Sequence, residues 1–317
     1  MNKIINQKTI IAFAVVIMAL GFFGLTVKNS KDSQVVDIAP VKTEKIKAVT
    51  SFYPLYFFAQ NIAGDRADVV NITPAGAEPH DYEPTARQVA EIEDSNLLIL
   101  NGGNLESWSK NIQESIVGKK TILVTAGESL VTQEVTEEGK VVTDPHFWLS
   151  PPLAKQMIDK ILQGFIKADL TNADYYINNS VNLKAEVNKL DAEYNSGLSN
   201  CKSKDIITSH ASFGYLSATY HLNQVAITGI SPDAEPSPKE LAEVAKFAKE
   251  NKVKYIFFES LVSPKLSETI ATEVGAKTMV LNPLEGLTSD EISQGKNYLT
   301  EMRSNLNNLK IALQCTE

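Results

Sequence analysis

The chain carries four histidines, and three of them stand in segments suited to aiming an imidazole in one direction. His146 lies in Asp144-Pro145-His146-Phe147-Trp148-Leu149-Ser150-Pro151-Pro152, where prolines on both sides restrict the backbone around the ring. His80 lies in Gly76-Ala77-Glu78-Pro79-His80-Asp81-Tyr82-Glu83-Pro84, and His210 in Ile206-Ile207-Thr208-Ser209-His210-Ala211-Ser212-Phe213-Gly214. A ring held in a fixed direction loses little entropy on coordination, which suits a metal ligand. The three are about 65 residues apart, so they form neither a zinc-finger spacing nor a His-Glu-x-x-His helix, and only tertiary folding can join them. The fourth, His221, follows a short helical run and is expected on a helix surface.

Three neutral imidazoles leave one tetrahedral position open and do nothing to balance a dication. A carboxylate would meet both needs. Two candidates follow apolar, strand-like runs in the second half: Glu259 in Phe257-Phe258-Glu259-Ser260, and Glu285 in Leu281-Asn282-Pro283-Leu284-Glu285-Gly286. Three nitrogens and one oxygen suit zinc, whereas manganese prefers more oxygen. A zinc hydrolase would use three protein ligands plus water. No serine or cysteine nucleophile or Glu-x-x-type base is evident beside the histidines. An adhesin with an incidental metal is a third class, with no repeats or aromatic-rich patch to support it.

The elements that must position these residues alternate. In the first half, strands are expected near 47–52, 67–72, 97–100 and 121–124, with helices over 54–62, 84–95 and 105–116. In the second half, strands near 205–209, 224–228, 254–258 and 277–281 alternate with helices over 213–220, 238–251, 264–274 and 296–313. This order indicates an α/β fold of two lobes, each a parallel-sheet α/β sandwich. Between them, no Pro or Gly interrupts residues 173–196, and Tyr176, Ile177, Val181, Val187, Leu190 and Tyr194 recur at threes and fours. That stretch is expected to be one long rigid backbone helix, with Thr171 or Asn172 as its cap. The metal site then falls in the cleft, since ligands in open α/β sheets bind beyond the carboxyl ends of strands. Residues 127–143, rich in glutamate, read as an exposed acidic loop.

The boundaries expected are 1–28 as a signal or anchor segment, 29–45 as a flexible tether, 46–170 as the N-terminal lobe, 171–198 as the linking helix and 199–317 as the C-terminal lobe. Lys3 and Lys8 precede eighteen uncharged residues, 10–27, which is an export signal at the lower length limit for a membrane span. With no clear cleavage site, an uncleaved membrane anchor is favoured. Either way the body is exported, to the extracytoplasmic face of the membrane or the periplasm. Cys201 and Cys315 are the two cysteines, and in an oxidising compartment they are expected to pair. A net charge of −8 argues against a nucleic-acid partner.

Taken together, Ser51-Phe52-Tyr53-Pro54, the His80 and His146 segments, His210-Ala211-Ser212-Phe213-Gly214-Tyr215, Gly229-Ile230-Ser231-Pro232-Asp233-Ala234-Glu235-Pro236-Ser237 and Asn282-Pro283-Leu284-Glu285 resemble the zinc/manganese solute-binding proteins of ABC transporters. The resemblance covers residues 46 to 313. It implies that His80, His146, His210 and Glu285 are the ligands of a transported Zn2+, and that Glu259 has a structural or supporting role. Manganese receptors of that family replace the third histidine with a carboxylate, whereas this chain has His210. The resemblance further implies a monomeric, non-enzymatic receptor whose partner is a membrane permease. Two departures stand out: there is no lipid-attachment cysteine, and the loop before the His146 motif has no histidine.

Overall fold

The computed structural model describes residues 45–137 and 140–316. The anchor segment expected over 1–28, and all but the last residue of the 29–45 tether, lie outside the described residues. No described helix is long and apolar enough to cross a membrane.

Two parallel sheets carry the fold. The first contains β1 (Ile46–Thr50), β2 (Ala67–Asn71), β3 (Leu97–Leu100) and β4 (Ile122–Thr125), in the order β2-β1-β3-β4. The second contains β7 (Asp205–Thr208), β8 (Asn223–Ala226), β9 (Tyr255–Phe258) and β10 (Lys277–Val280), in the order β10-β9-β7-β8. The Leu-Leu-Ile-Leu sequence of β3 is buried at every position, as a central strand covered on both faces requires. Between consecutive strands run the crossover helices α1 (Tyr53–Ala63), α2 (Ala86–Glu93) and α3 (Ser109–Ser115) in the first half. In the second half they are α6 (Gly214–Tyr220), α7 (Pro238–Glu250) and α8 (Lys265–Val274), and the short α9 (Ser289–Ser293) follows β10. Capping boxes begin α2 at Thr85 and α7 at Ser237.

Helix α4 (Pro151–Ala168) leads into α5 (Ala173–Gly197), the long helix that links the two halves. Its 25 residues extend over about 37 Å. Residues Tyr176, Ser180, Leu183, Val187, Leu190 and Tyr194 form its buried face, stepping alternately by four and three. The stripe is therefore turned from the one read in the sequence, since Ile177 and Val181 face solvent while Ser180 and Leu183 are covered. Near its start, Asn179 donates to the carbonyl of Ile62 at the end of α1. Near its end, the Tyr194 hydroxyl donates to the carbonyl of Met302 in α10 (Tyr298–Ala312), and Arg303 pairs with Glu193. One hydrophobic cluster runs through α1, α4, α5 and α10, so both sheets share a continuous core.

Local details depart from sequence expectation. Asn172 stands at the N-cap of α5, but its side chain donates to Asp169 instead of capping the helix. The 127–143 segment is not simply an exposed loop. It folds into an antiparallel hairpin of β5 (Glu134–Glu137) and β6 (Lys140–Thr143). Its base is pinned where the backbone N–H groups of Thr132 and Gln133 both donate to the Tyr215 hydroxyl. Cys201 and Cys315 form a disulfide that joins the entry to the second half to the end of α10. His221 ends α6 in a left-handed conformation and is exposed.

Candidate metal centre

The site is assembled from loops at the carboxyl ends of strands, where unpaired backbone and free side chains face one crevice. His80 lies on the loop after β2, His210 two residues beyond β7, and Glu285 five residues beyond β10. His146 follows β6 and immediately precedes the short helical turn Phe147–Leu149. That turn is tied to the first sheet by Asn101, whose side chain donates to the carbonyl of Pro145. The Asn101 backbone is in turn fixed by Glu106, which also accepts from the Ser51 hydroxyl and Gly102 N–H.

Four ligand atoms converge. The Nε2 of His146 is 3.3 Å from the Nε2 of His80, 3.3 Å from the Nε2 of His210 and 3.1 Å from Oε1 of Glu285. Glu285 Oε1 is 3.1 Å from the Nε2 of His210 and 3.3 Å from that of His80. A tetrahedron has an edge of about 1.63 times its centre-to-corner distance, so zinc bonds of about 2.0 Å need edges of about 3.3 Å. The observed separations have that size. His146, His210 and Glu285 are buried, while His80 keeps slight exposure at the rim.

The outer hydrogen bonds fix which nitrogens point inward. Asp144 Oδ1 lies 2.7 Å from Nδ1 of His146, and Glu259 Oε1 lies 2.6 Å from Nδ1 of His210. A carboxylate can only accept, so each Nδ1 carries a proton and each Nε2 faces the crevice, where the neutral ring presents its lone pair. Glu259 thus stands behind His210, while Glu285 stands in front of it. Strand position alone left the two glutamates equivalent; the geometry places Glu285 in the crevice and Glu259 behind His210, as the resemblance implied. Glu259 also receives the Ser209 hydroxyl and the backbone N–H of His210.

Without a cation the arrangement is electrostatically tense. Burial pulls the His210 imidazole down, but Glu259 and Glu285 outweigh it and hold the ring well above the usual range. Burial likewise lowers His146, and hydrogen bonds to Asp144 and Glu285 more than offset this. His80, mainly through burial, is held below its ordinary value. Burial alone would raise Glu285, yet the three histidines keep it well below the carboxylate range. Beside it, Glu78 is pushed up to about 8 by burial and by the charge of Glu285. Protons can satisfy these contacts only pair by pair. One dication at the centre satisfies all of them together.

All four residues that the resemblance placed at the site are brought together: His80, His146, His210 and Glu285. Asp144 was the participant sequence reasoning missed, although its place two residues before His146 is the signal that could have revealed it. A second acidic group, Glu78, Asp81 and Asp233, lies in the described residues at a more exposed position.

The family model described as zinc-uptake complex component A, periplasmic, matches residues 48–312. The chain is 39% identical over 286 residues to the high-affinity zinc uptake system protein ZnuA of Bacillus subtilis, covering 87% of this chain and 90% of that one. It is 40% identical over 283 residues to the zinc-binding lipoprotein AdcA of Streptococcus pneumoniae, covering 84% of this chain but 55% of that relative, so it spans about half of AdcA. The Zn(II)-bound ZnuA-like domain of Streptococcus pneumoniae AdcA superposes with a TM-score of 0.75 at 38% identity, covering 85% of this chain and 99% of that domain. With the family model matching nearly the whole described body, the chain belongs to the family of periplasmic zinc-uptake complex A components.

Proposed function

We propose that this protein is an extracytoplasmic receptor that binds one zinc ion through His80, His146, His210 and Glu285 and delivers it to the permease of an ABC-type importer. The observation that carries the reading is the cage of three imidazole nitrogens and one carboxylate oxygen, with separations of 3.1 to 3.3 Å that fit tetrahedral zinc. Membership of a zinc-uptake family supports the same cargo. Zinc is favoured over manganese because a single carboxylate among three nitrogens gives a nitrogen-rich, low-coordinate shell. Four protein ligands in a buried cage leave no position for an activated water, which supports a receptor over a hydrolase. The receptor acts as a monomer, and residues 1–28 hold the body at the membrane surface through the 29–45 tether.

Calorimetric titration of the purified protein tests this. The wild type should bind one zinc and prefer it to manganese, and His210→Ala should bind zinc at least about a hundredfold more weakly, as expected for loss of a direct ligand. Equal zinc affinity in the two proteins would remove His210 from the site.

A further inference from the structure

The shortest cage contact between halves, 3.1 Å, joins His146, on the turn before α4, to Glu285, on the loop after β10. One side chain, Trp148, hydrogen-bonds directly between the two loops. Trp148 is fully buried two positions after His146, and its indole N–H donates at 2.7 Å to the carbonyl of Pro283, two positions before Glu285. The carbonyl of Trp148 accepts from the Tyr298 hydroxyl at the start of α10. Its ring packs edge-on against Phe52 at 4.7 Å and lies 5.1 Å from the His146 ring.

The far side of the Glu285 loop is pinned as firmly. Asn305 of α10 accepts from the backbone N–H of Asn282 and donates to its carbonyl, while the Asn282 side chain accepts from Leu284 N–H. Leu284 is buried and held at a φ of 60°, a left-handed conformation that a leucine does not adopt without support. The loop is therefore clamped between Asn305 on one side and Trp148 on the other.

We propose that Trp148, braced by Tyr298, is a positioning residue that sets the spacing between the His146 and Glu285 ligand atoms, and thereby makes the cage select zinc over larger divalent ions. The inference rests on the zinc-receptor reading. With the latch intact, Glu285 Oε1 stays 3.1 Å from His146 Nε2, a separation matched to short tetrahedral bonds. Manganese requires longer bonds and more oxygen donors, and a loop that cannot retreat denies both. Without the latch, the loop keeps only its Asn305 clamp, and the Glu285 carboxylate can move away from His146 and admit a fifth ligand.

Two variants test it: Trp148→Phe removes the indole donor, and Tyr298→Phe removes the hydroxyl while keeping its ring stacked on Phe57. Each is titrated with zinc, manganese and cobalt(II), the last read by its visible d–d absorption. Loss of the latch is expected to weaken zinc binding about tenfold or more, to narrow the zinc-to-manganese ratio and to weaken the cobalt band as coordination rises above four. A purely structural role would lower the melting temperature but leave that ratio and that band unchanged. Should Trp148→Phe fail to fold, Tyr298→Phe decides alone. A wild type that does not bind zinc would overturn the receptor reading together with the latch. A zinc-binding wild type whose variants keep its cobalt spectrum and metal ratio would overturn the latch alone.

Discussion

Glu259 receives the Nδ1 proton of His210 at 2.6 Å, from the side of the ring opposite Glu285. This orients the imidazole and raises its basicity without placing the carboxylate in the cage. Replacing Glu259 with Gln keeps the size and removes the charge. Zinc affinity is expected to fall by about ten- to a hundredfold with one site retained, the usual cost of losing an outer partner of a metal-binding histidine. Competition against a chelating dye measures it. Unchanged affinity would show that His210 needs no carboxylate behind it.

The same contacts give zinc capture a directional pH dependence. In the metal-free protein, Asp144, Glu259 and Glu285 hold His146 and His210 above the ordinary imidazole value despite burial. A raised imidazole contributes stability that is fully present below its unfolded pKa of about 6.5 and is lost as pH rises through its folded value. Zinc needs both rings neutral, so binding weakens as pH falls through those raised values, beginning above about pH 6.5. Excess zinc at a hundredfold over Kd adds about 2.7 kcal/mol of stability. The melting-temperature gap between zinc-loaded and metal-free protein is therefore expected to widen from about pH 6 to about pH 8. A gap that narrows over that range would contradict the assignment of these rings.

The parts of this molecule that the sequence makes legible are those where local chemistry and tertiary role agree. Leu97 to Leu100 can only be a covered strand, and the absence of Pro and Gly before Gly197 allows a single long helix. Other features depend on partners distant in sequence. Which face of α5 is buried is decided by α1, α4 and α10, so Ser180 is covered while Val181 is exposed. The hairpin at 134–143 has too short and polar an alternation to announce itself, and its base is held by Tyr215, over eighty residues away. Glu259 and Glu285 both follow strands. Local pattern cannot say which approaches His210 from the front; the Asn282-Pro283-Leu284-Glu285 resemblance pointed to Glu285, and the packing of the second sheet puts it there.

The disulfide makes a separate prediction about stability. Cys201 and Cys315 are 114 residues apart, so the bond closes a loop spanning the whole second sheet. The loop-closure model gives such a cross-link up to about 5 kcal/mol by restricting the unfolded chain, and losing a native disulfide commonly costs about 2–5 kcal/mol. Paired serine substitutions should shift the denaturant midpoint down accordingly. Zinc stoichiometry should stay at one, because the hydrogen bonds to His146, His210 and the Glu285 loop come from Asp144, Glu259, Trp148 and Asn305, none of them next to the disulfide. Unaltered unfolding in the variant would mean the bond adds no stability.

Gly214 places the first turn of α6 against the acidic partner of His146. A side-chain carbon there would meet Asp144 Oδ2 at 2.5 Å and Gln133 Oε1 at 2.7 Å. On helix propensity alone, alanine at this position would stabilise by up to about 1 kcal/mol. The close approach opposes this, since Asp144 cannot retreat without loosening its hold on both Nδ1 and the backbone N–H of His146. Gly214→Ala is therefore expected to fold and yet bind zinc about tenfold more weakly, through the loss of a fixed outer partner. Nuclear magnetic resonance of the His146 ring in the zinc-loaded variant distinguishes this from general loosening: the Nδ1 proton resonance should move or broaden while that of His210 stays. If both resonances and the affinity match the wild type, Asp144 has room to shift without consequence, and the contact with Gly214 does not govern the site.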